Sequence, residues 1–303
     1  MRLFETVLLI IMIGALLLGV YLLMDFWNKK TVDFQSFNAE LTANLSDKTN
    51  QFYPNMRYPD KLITYSIGGS CTDSNKIEIM SALATLSSKT VLRFSEKDNG
   101  EIKYFCSNIQ PSAEEEGHFI AGEGGPSEII NESVYFVILS GKVALYKPTN
   151  CDKPNVAIHE TLHALGFDHT NKSSSIMYPI TNCNQEIDQS ISDEINRIYS
   201  IPSEADLLIE SLDANIVGRY LNFNITVSNL GFKDADNAIL KVYSEDKLVK
   251  DFSLNNIDFG TRKLLSVSVM LVGSNSRNLK FEVYTSDGEI SKTNNVKTLQ
   301  IKA

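Results

Sequence analysis

Apolar positions along the chain fall into three regimes. Residues 7–24, VLLIIMIGALLLGVYLLM, are apolar without interruption, a run of about 18 residues that at about 1.5 Å per residue can cross most of a bilayer core. Residues 25 to about 58 are polar with scattered aromatics (Phe34, Phe37, Phe52, Tyr53) and read as a stalk. From Lys61 the pattern tightens. LITYSI predicts a strand, SNKIEIMSALATLSSKT a helix with Ile77, Ile79, Met80, Leu83 and Leu86 at helical spacing, and TVLRFSE and IKYFCSN two more strands. Residues 110–128 carry Glu114 to Glu116 and then AGEGGPSE, which predicts a solvated loop. SVYFVILSG and VALYK supply further strand material. After Ile201-Pro202 the pattern becomes alternation: Leu221, Phe223, Ile225, Val227; Val267, Val269, Leu271; Leu279, Phe281, Val283. Turn signals such as NLG, DFG and SDG punctuate it, which predicts an all-β sandwich.

The terminal apolar run leaves through Leu22, Leu23, Met24 and Asp25 with no A-x-A-like cleavage site, so an uncleaved transmembrane signal-anchor is expected. The expected layout is an anchor over 1–30, a stalk over 31–58, a mixed α/β domain over 59–201 and an all-β domain over 202–303. Net charge is −9, from 28 basic against 37 acidic residues. That field repels phosphate backbones, so nucleic acid is not expected as a partner. Arg2 on one side of the run and Lys29 and Lys30 on the other do not decide orientation. The four cysteines lean one way: all follow the run, contain no C-x-x-C pair and suit two disulfides, with free buried thiols as the other reading, so the bulk of the chain is expected outside the cell.

One stretch carries chemistry: His159-Glu160-Thr161-Leu162-His163-Ala164-Leu165-Gly166-Phe167-Asp168-His169. On a helix, His159 and His163 lie one turn apart on one face, so both imidazoles reach a single metal ion. Gly166 can end that helix in a left-handed conformation and let His169 return to the same point. Three imidazoles leave one zinc ion with an open position for water. Glu160, adjacent to the first ligand but not itself one, is the expected general base. Proximity to this stretch favours a Cys151–Cys183 disulfide across the site, with Cys71 and Cys106 left to pair, although four cysteines allow three connectivities.

H-E-x-x-H-x-x-G-x-x-H resembles the metzincin clan of zinc peptidases. Ser175-Ile176-Met177-Tyr178-Pro179 resembles the matrixin form of their methionine turn, and residues 188–199 resemble the closing helix of matrixin catalytic domains. The resemblance spans about 60–200. It implies a zincin-type α+β catalytic domain, Met177 as an apolar floor beneath the ligands with Tyr178 and Pro179 completing the turn, and a peptide or protein substrate. Two departures stand out: no cysteine-switch segment precedes the domain, and only His118 is left to serve a second, structural zinc, which is therefore not expected. Calcium is not indicated. VSNLGFKDADNAILKVYSEDKLV and DGEISKTNNVKTLQI are similar to the CARDB family, a cell-adhesion-related immunoglobulin-like domain, which implies a cell-surface partner. The function these features imply is a membrane-tethered zinc endopeptidase facing outward. A surface adhesion protein with an inactive zinc domain is the alternative, and intact Glu160 argues against it.

Overall fold

The computed structural model describes residues 51–109, 111, 120–131, 135–146, 151–272 and 278–300. The apolar run at 7–24 and His118 lie outside the described residues; among those described, no helix is long and apolar enough to cross a membrane. All described residues fall in one compact unit.

The first domain is a six-stranded sheet with three helices. Strands β6 (Phe136–Leu145), β4 (Ile102–Cys106), β2 (Leu62–Ile67) and β3 (Arg93–Glu96) lie in that spatial order, all parallel, and the short β1 (Met56–Arg57) pairs parallel with the start of β6 on the same edge as β4. β5 (Gly122–Asn131) runs antiparallel along the other edge of β6. Helix α1 (Asp73–Lys89) crosses between β2 and β3, and α2 (Asn155–Ala164) and α3 (Gln189–Ile198) follow the sheet.

Helix α1 begins at a capping box in which Thr72 Oγ accepts from Asn75 N at 3.3 Å and Asn75 Oδ1 accepts from Thr72 N at 3.0 Å. Its inward stripe is Ile79, Ala82, Leu83 and Leu86. Ile77 and Met80, expected on that stripe, are 69% and 53% exposed. Small Ala82 completes an i, i+3, i+4, i+7 face that a count of large apolar residues passes over. The Cys71–Cys106 disulfide joins the entry of α1 to the end of β4. Asp188 occupies the N-cap of α3 without capping it, since its carboxylate pairs with Lys172 instead.

Two segments depart from expectation. The described part of the supposed stalk, from Gln51, is built into the first domain: Met56, Arg57 and Tyr58 are fully buried, and Tyr58 Oη donates to Ala164 O at 3.2 Å. Its aromatics pack inward instead of dotting a spacer. The supposed loop AGEGGPSE supplies most of β5. Glycine lowers strand propensity, but an edge strand that must pass close to a helix backbone needs it.

The second domain packs two antiparallel sheets on one core. One is β11 (Arg262–Leu271), β8 (Tyr220–Asn229) and β7 (Leu207–Val217); the other is β10 (Lys247–Ile257), β9 (Ala235–Ser244), β12 (Asn278–Tyr284) and β13 (Val296–Gln300), each in spatial order. The alternating residues of β8 and β12 all point inward, with Phe223 edge-on to Phe281 at 5.1 Å. In β11 the alternation breaks. A register shift between Val267 and Met270 coincides with Val269 at φ 58°, and the extra residue flips the parity. Val269 and Leu271, expected inside, are therefore exposed, and Met270 and Val272 are buried in their place.

Candidate metal centre

Every residue of α2 is buried. The helix lies against the sheet through Thr161, which donates to Ala157 O at 2.5 Å and so must accept from the Tyr104 hydroxyl at 2.9 Å. It stops where expected. Gly166 N donates to His163 O at 2.9 Å, Phe167 N to Leu162 O at 3.0 Å, and Gly166 takes φ 94°. A Cβ there would also lie 2.6 Å from the Met56 side chain. The turn returns the chain so that His169 faces the helix.

His159, His163 and His169 come together. Their Nε2 atoms form a triangle with sides of 3.0, 3.1 and 3.2 Å. His159 Nδ1 lies 2.6 Å from Ile176 O and His163 Nδ1 lies 2.7 Å from Phe167 O. A carbonyl can only accept, so both rings carry their proton on Nδ1 and present bare lone pairs at Nε2. Lone pairs this close repel unless a cation lies among them. A tetrahedral zinc with bonds of about 2.0–2.1 Å needs nitrogens about 3.3 Å apart, so the triangle fits such an ion with slight expansion. Burial favours the neutral form of each ring. It lowers His159 to about 4, helped by His169 and opposed by the bond to Ile176. His163 falls well below the usual range through burial and then its two neighbours, and His169 falls through burial against the pull of Asp168.

Glu160 is buried beside them, and burial first, then Glu123, raises its carboxyl to about 8. Strand β5 passes directly over it. A Cβ on Gly122 would lie 2.6 Å from Glu160 Cγ, and one on Gly124 would lie 2.1 Å from Glu160 O. Between these glycines Glu123 is exposed and accepts from Tyr146 Oη at 2.7 Å.

The segment after His169 forms a tight turn around Met177. Thr170 N donates to Met177 O at 2.9 Å, Tyr178 N to Ser175 O at 3.1 Å and Met177 N to Ser175 Oγ at 3.1 Å. Met177 is buried, Tyr178 half-buried and Pro179 exposed. The Cys151–Cys183 disulfide spans the segments before α2 and after this turn, reinforced by Asn155 Nδ2 donating to Asn182 O at 2.7 Å. Sequence reasoning missed Gly122 and Gly124, whose signal was a Gly-x-Gly pair just before a strand-forming stretch. It also missed Phe52, which stacks on the His163 ring at 5.8 Å and 21°.

A family model for matrixins matches residues 57–201, and one for CARDB matches residues 204–299. The chain carries a matrixin domain followed by a CARDB domain. The matrixin domain is metallopeptidase-like, acting in its family on peptides or proteins, and its three histidines could hold a metal ion. The CARDB domain is similar to that of a Pyrococcus furiosus protein crystallised in complex with di-metal ions, at 18% identity and TM-score 0.28, covering 32% of this chain and 87% of that one. It is also similar to a solution structure of that domain, at 19% identity and TM-score 0.27, covering 32% and 93%. A domain of a Methanosarcina acetivorans protein gives 18% identity and TM-score 0.29, covering 32% and 90%. No curated protein matches the chain.

Proposed function

We propose that this protein is a zinc endopeptidase held at the membrane by residues 7–24, with its catalytic domain outside the cell. The observation that carries the activity is the convergence of three Nε2 lone pairs beside a buried carboxylate under a glycine-lined strand. His159, His163 and His169 are the ligands. Zinc bound there supplies a Lewis acid that polarises a carbonyl and acidifies a coordinated water.

The chain's own residues do the rest. Glu160 accepts the water's proton on its carboxylate and returns it to the leaving amine. Strand β5 pairs with β6 on one edge and with no other described strand, so its outer N–H and C=O groups can take an extended peptide as an added strand across the metal centre. The absence of side chains at Gly122 and Gly124 lets that strand, and the peptide with it, lie close to Glu160. Two disulfides support maturation in an oxidising compartment, in keeping with an outward-facing domain.

Quenched-peptide cleavage by the full-length protein in detergent tests this reading. Cleavage lost on chelation, restored by zinc and reduced about 10²- to 10⁴-fold in Glu160→Ala is expected. Tight zinc uptake with no cleavage across a diverse peptide library would favour the adhesion alternative.

A further inference from the structure

Arg57 is fully buried at the seam between the two domains. Its guanidinium carbon lies 4.1 Å from the centroid of the Phe232 ring and 4.4 Å from that of Tyr199. Its Nη1 donates to Ile198 O at 2.7 Å and Ile201 O at 3.0 Å, its Nε to Tyr58 O at 3.0 Å, and its Nη2 to Pro59 O at 2.9 Å and Ser203 Oγ at 3.4 Å. These acceptors are neutral, so carbonyl dipoles and two aromatic rings hold the buried charge. Phe232 is the CARDB domain's contribution. It is 1% exposed and also meets Tyr135 edge-on at 5.0 Å. The two groups its ring meets, Arg57 and Tyr135, both belong to the matrixin domain.

The same short strand reaches the metal centre at its other end. Gln51 clasps Met56, its Oε1 accepting from Met56 N at 3.2 Å and its Nε2 donating to Met56 O at 2.8 Å. Met56 packs on Gly166, Phe52 N donates to Gly166 O at 2.9 Å, and Gln51 bridges to Phe167. Phe167 O receives the Nδ1–H of His163, and the Phe52 ring stacks on that imidazole. A continuous set of contacts therefore runs from the CARDB domain to one of the three histidines.

We propose that the CARDB domain is a buttress of the metal centre: Phe232, seated on Arg57, fixes the 51–57 segment that positions His163. Phe232 and Arg57 are positioning residues, acting through Phe52 and the Gly166–Phe167 turn. Removing the Phe232 ring uncovers one side of the guanidinium and admits water to the seam. The 51–57 segment then loses one of its two fixed ends. Residues that orient a metal-binding histidine from outside typically change metal affinity 10- to 100-fold. The inference rests on the metal-site reading but not on peptide hydrolysis.

The test measures the rate at which the zinc-loaded full-length protein gives up its metal to a chromogenic chelator, together with the visible spectrum of the cobalt-substituted form. Phe232→Ala is expected to release zinc about 10-fold or more faster and to alter the cobalt bands. Leu254→Ala, which opens a cavity in the CARDB core away from the seam, is expected to leave both unchanged. Should Phe232→Ala fail to fold, Arg57→Lys, which keeps the charge but loses the planar fork, carries the same expectation. Wild-type release rates in Phe232→Ala and Arg57→Lys would overturn the proposal, as would equal acceleration in Leu254→Ala. A wild-type protein that takes up no zinc would remove the metal-site reading itself.

Discussion

The Nδ1–H of His159 ends on the carbonyl of Ile176, 2.6 Å away, so the first histidine of the cluster is oriented by the residue preceding Met177. The turn at Met177 thereby reaches the histidine cluster directly. It fixes which nitrogen of His159 carries the proton, and Thr170 N on Met177 O fixes the chain just after His169.

Metal-free Glu160→Gln is expected to be more stable than the metal-free wild type at pH 8, with the difference shrinking towards pH 5. The folded carboxyl titrates near 8 against a usual 4.5. Its contribution is therefore fully favourable below about 4.5 and is lost as pH rises through 8. The histidines run the other way, their lowered folded values costing stability as pH falls below 6.5, but they are common to both proteins. Thermal melts of chelated samples at the two pH values check this, and an equal gap at both would refute it.

Gly124→Ala is expected to destabilise by about 3 kcal/mol, in the upper range for overpacking, and to abolish cleavage. The added methyl would meet Glu160 O, a backbone atom that cannot swing aside, at 2.1 Å and pry β5 from α2. Gly69→Ala, with nothing within 4 Å, is the neutral control. Urea unfolding and peptide cleavage read both; a neutral Gly124→Ala would mean that β5 does not lie where described.

Much of this site was legible because its signals are local. A helix fixes the i, i+4 relation of His159 and His163, and only a glycine readily takes the φ of Gly166, so the ligands and the turn followed from spacing. The four cysteines left connectivity open, and nearness to the site favoured the pairing found. What escaped depends on partners distant in sequence. Gly122 and Gly124 read as loop residues until α2 lies beneath them, Phe52 reads as a stalk aromatic until His163 is beside it, and nothing in the sequence announces a buried Arg57. The parity of β11 failed for a different reason, because one bulge at Val269 reverses every side chain beyond it.

Thr161→Val is expected to cost about 1–3 kcal/mol, the penalty of leaving a buried hydroxyl without a partner, because Tyr104 Oη then loses its acceptor. The double variant Tyr104→Phe/Thr161→Val is expected to cost less than the sum of the single changes. A urea-denaturation cycle measures the coupling, and strict additivity would show that the two hydroxyls do not interact.

Replacing both Cys151 and Cys183 by Ser is expected to lower stability by about 3–4 kcal/mol from loop entropy, given their separation of 32 residues. Calorimetry of the non-reduced proteins decides it, and an unchanged melting temperature would show that the loop is already held by its other contacts.

The stretch between Cys151 and Cys183 contains His159, Glu160, His163, His169 and Met177, so all of them sit inside one covalent ring. Asn171 to Ser174 form an exposed part of that ring. A protease that clips the backbone there opens the ring without releasing either piece. The nicked protein would run as two fragments on a reducing gel and as one band on a non-reducing gel, the piece that carries His159, His163 and His169 still joined by the sulfur bridge to the piece that carries Met177. Without the bridge such a cut would free the piece bearing Met177 from the piece bearing the three histidines; with it, the Ile176 carbonyl stays tethered to the His159 ring that it orients.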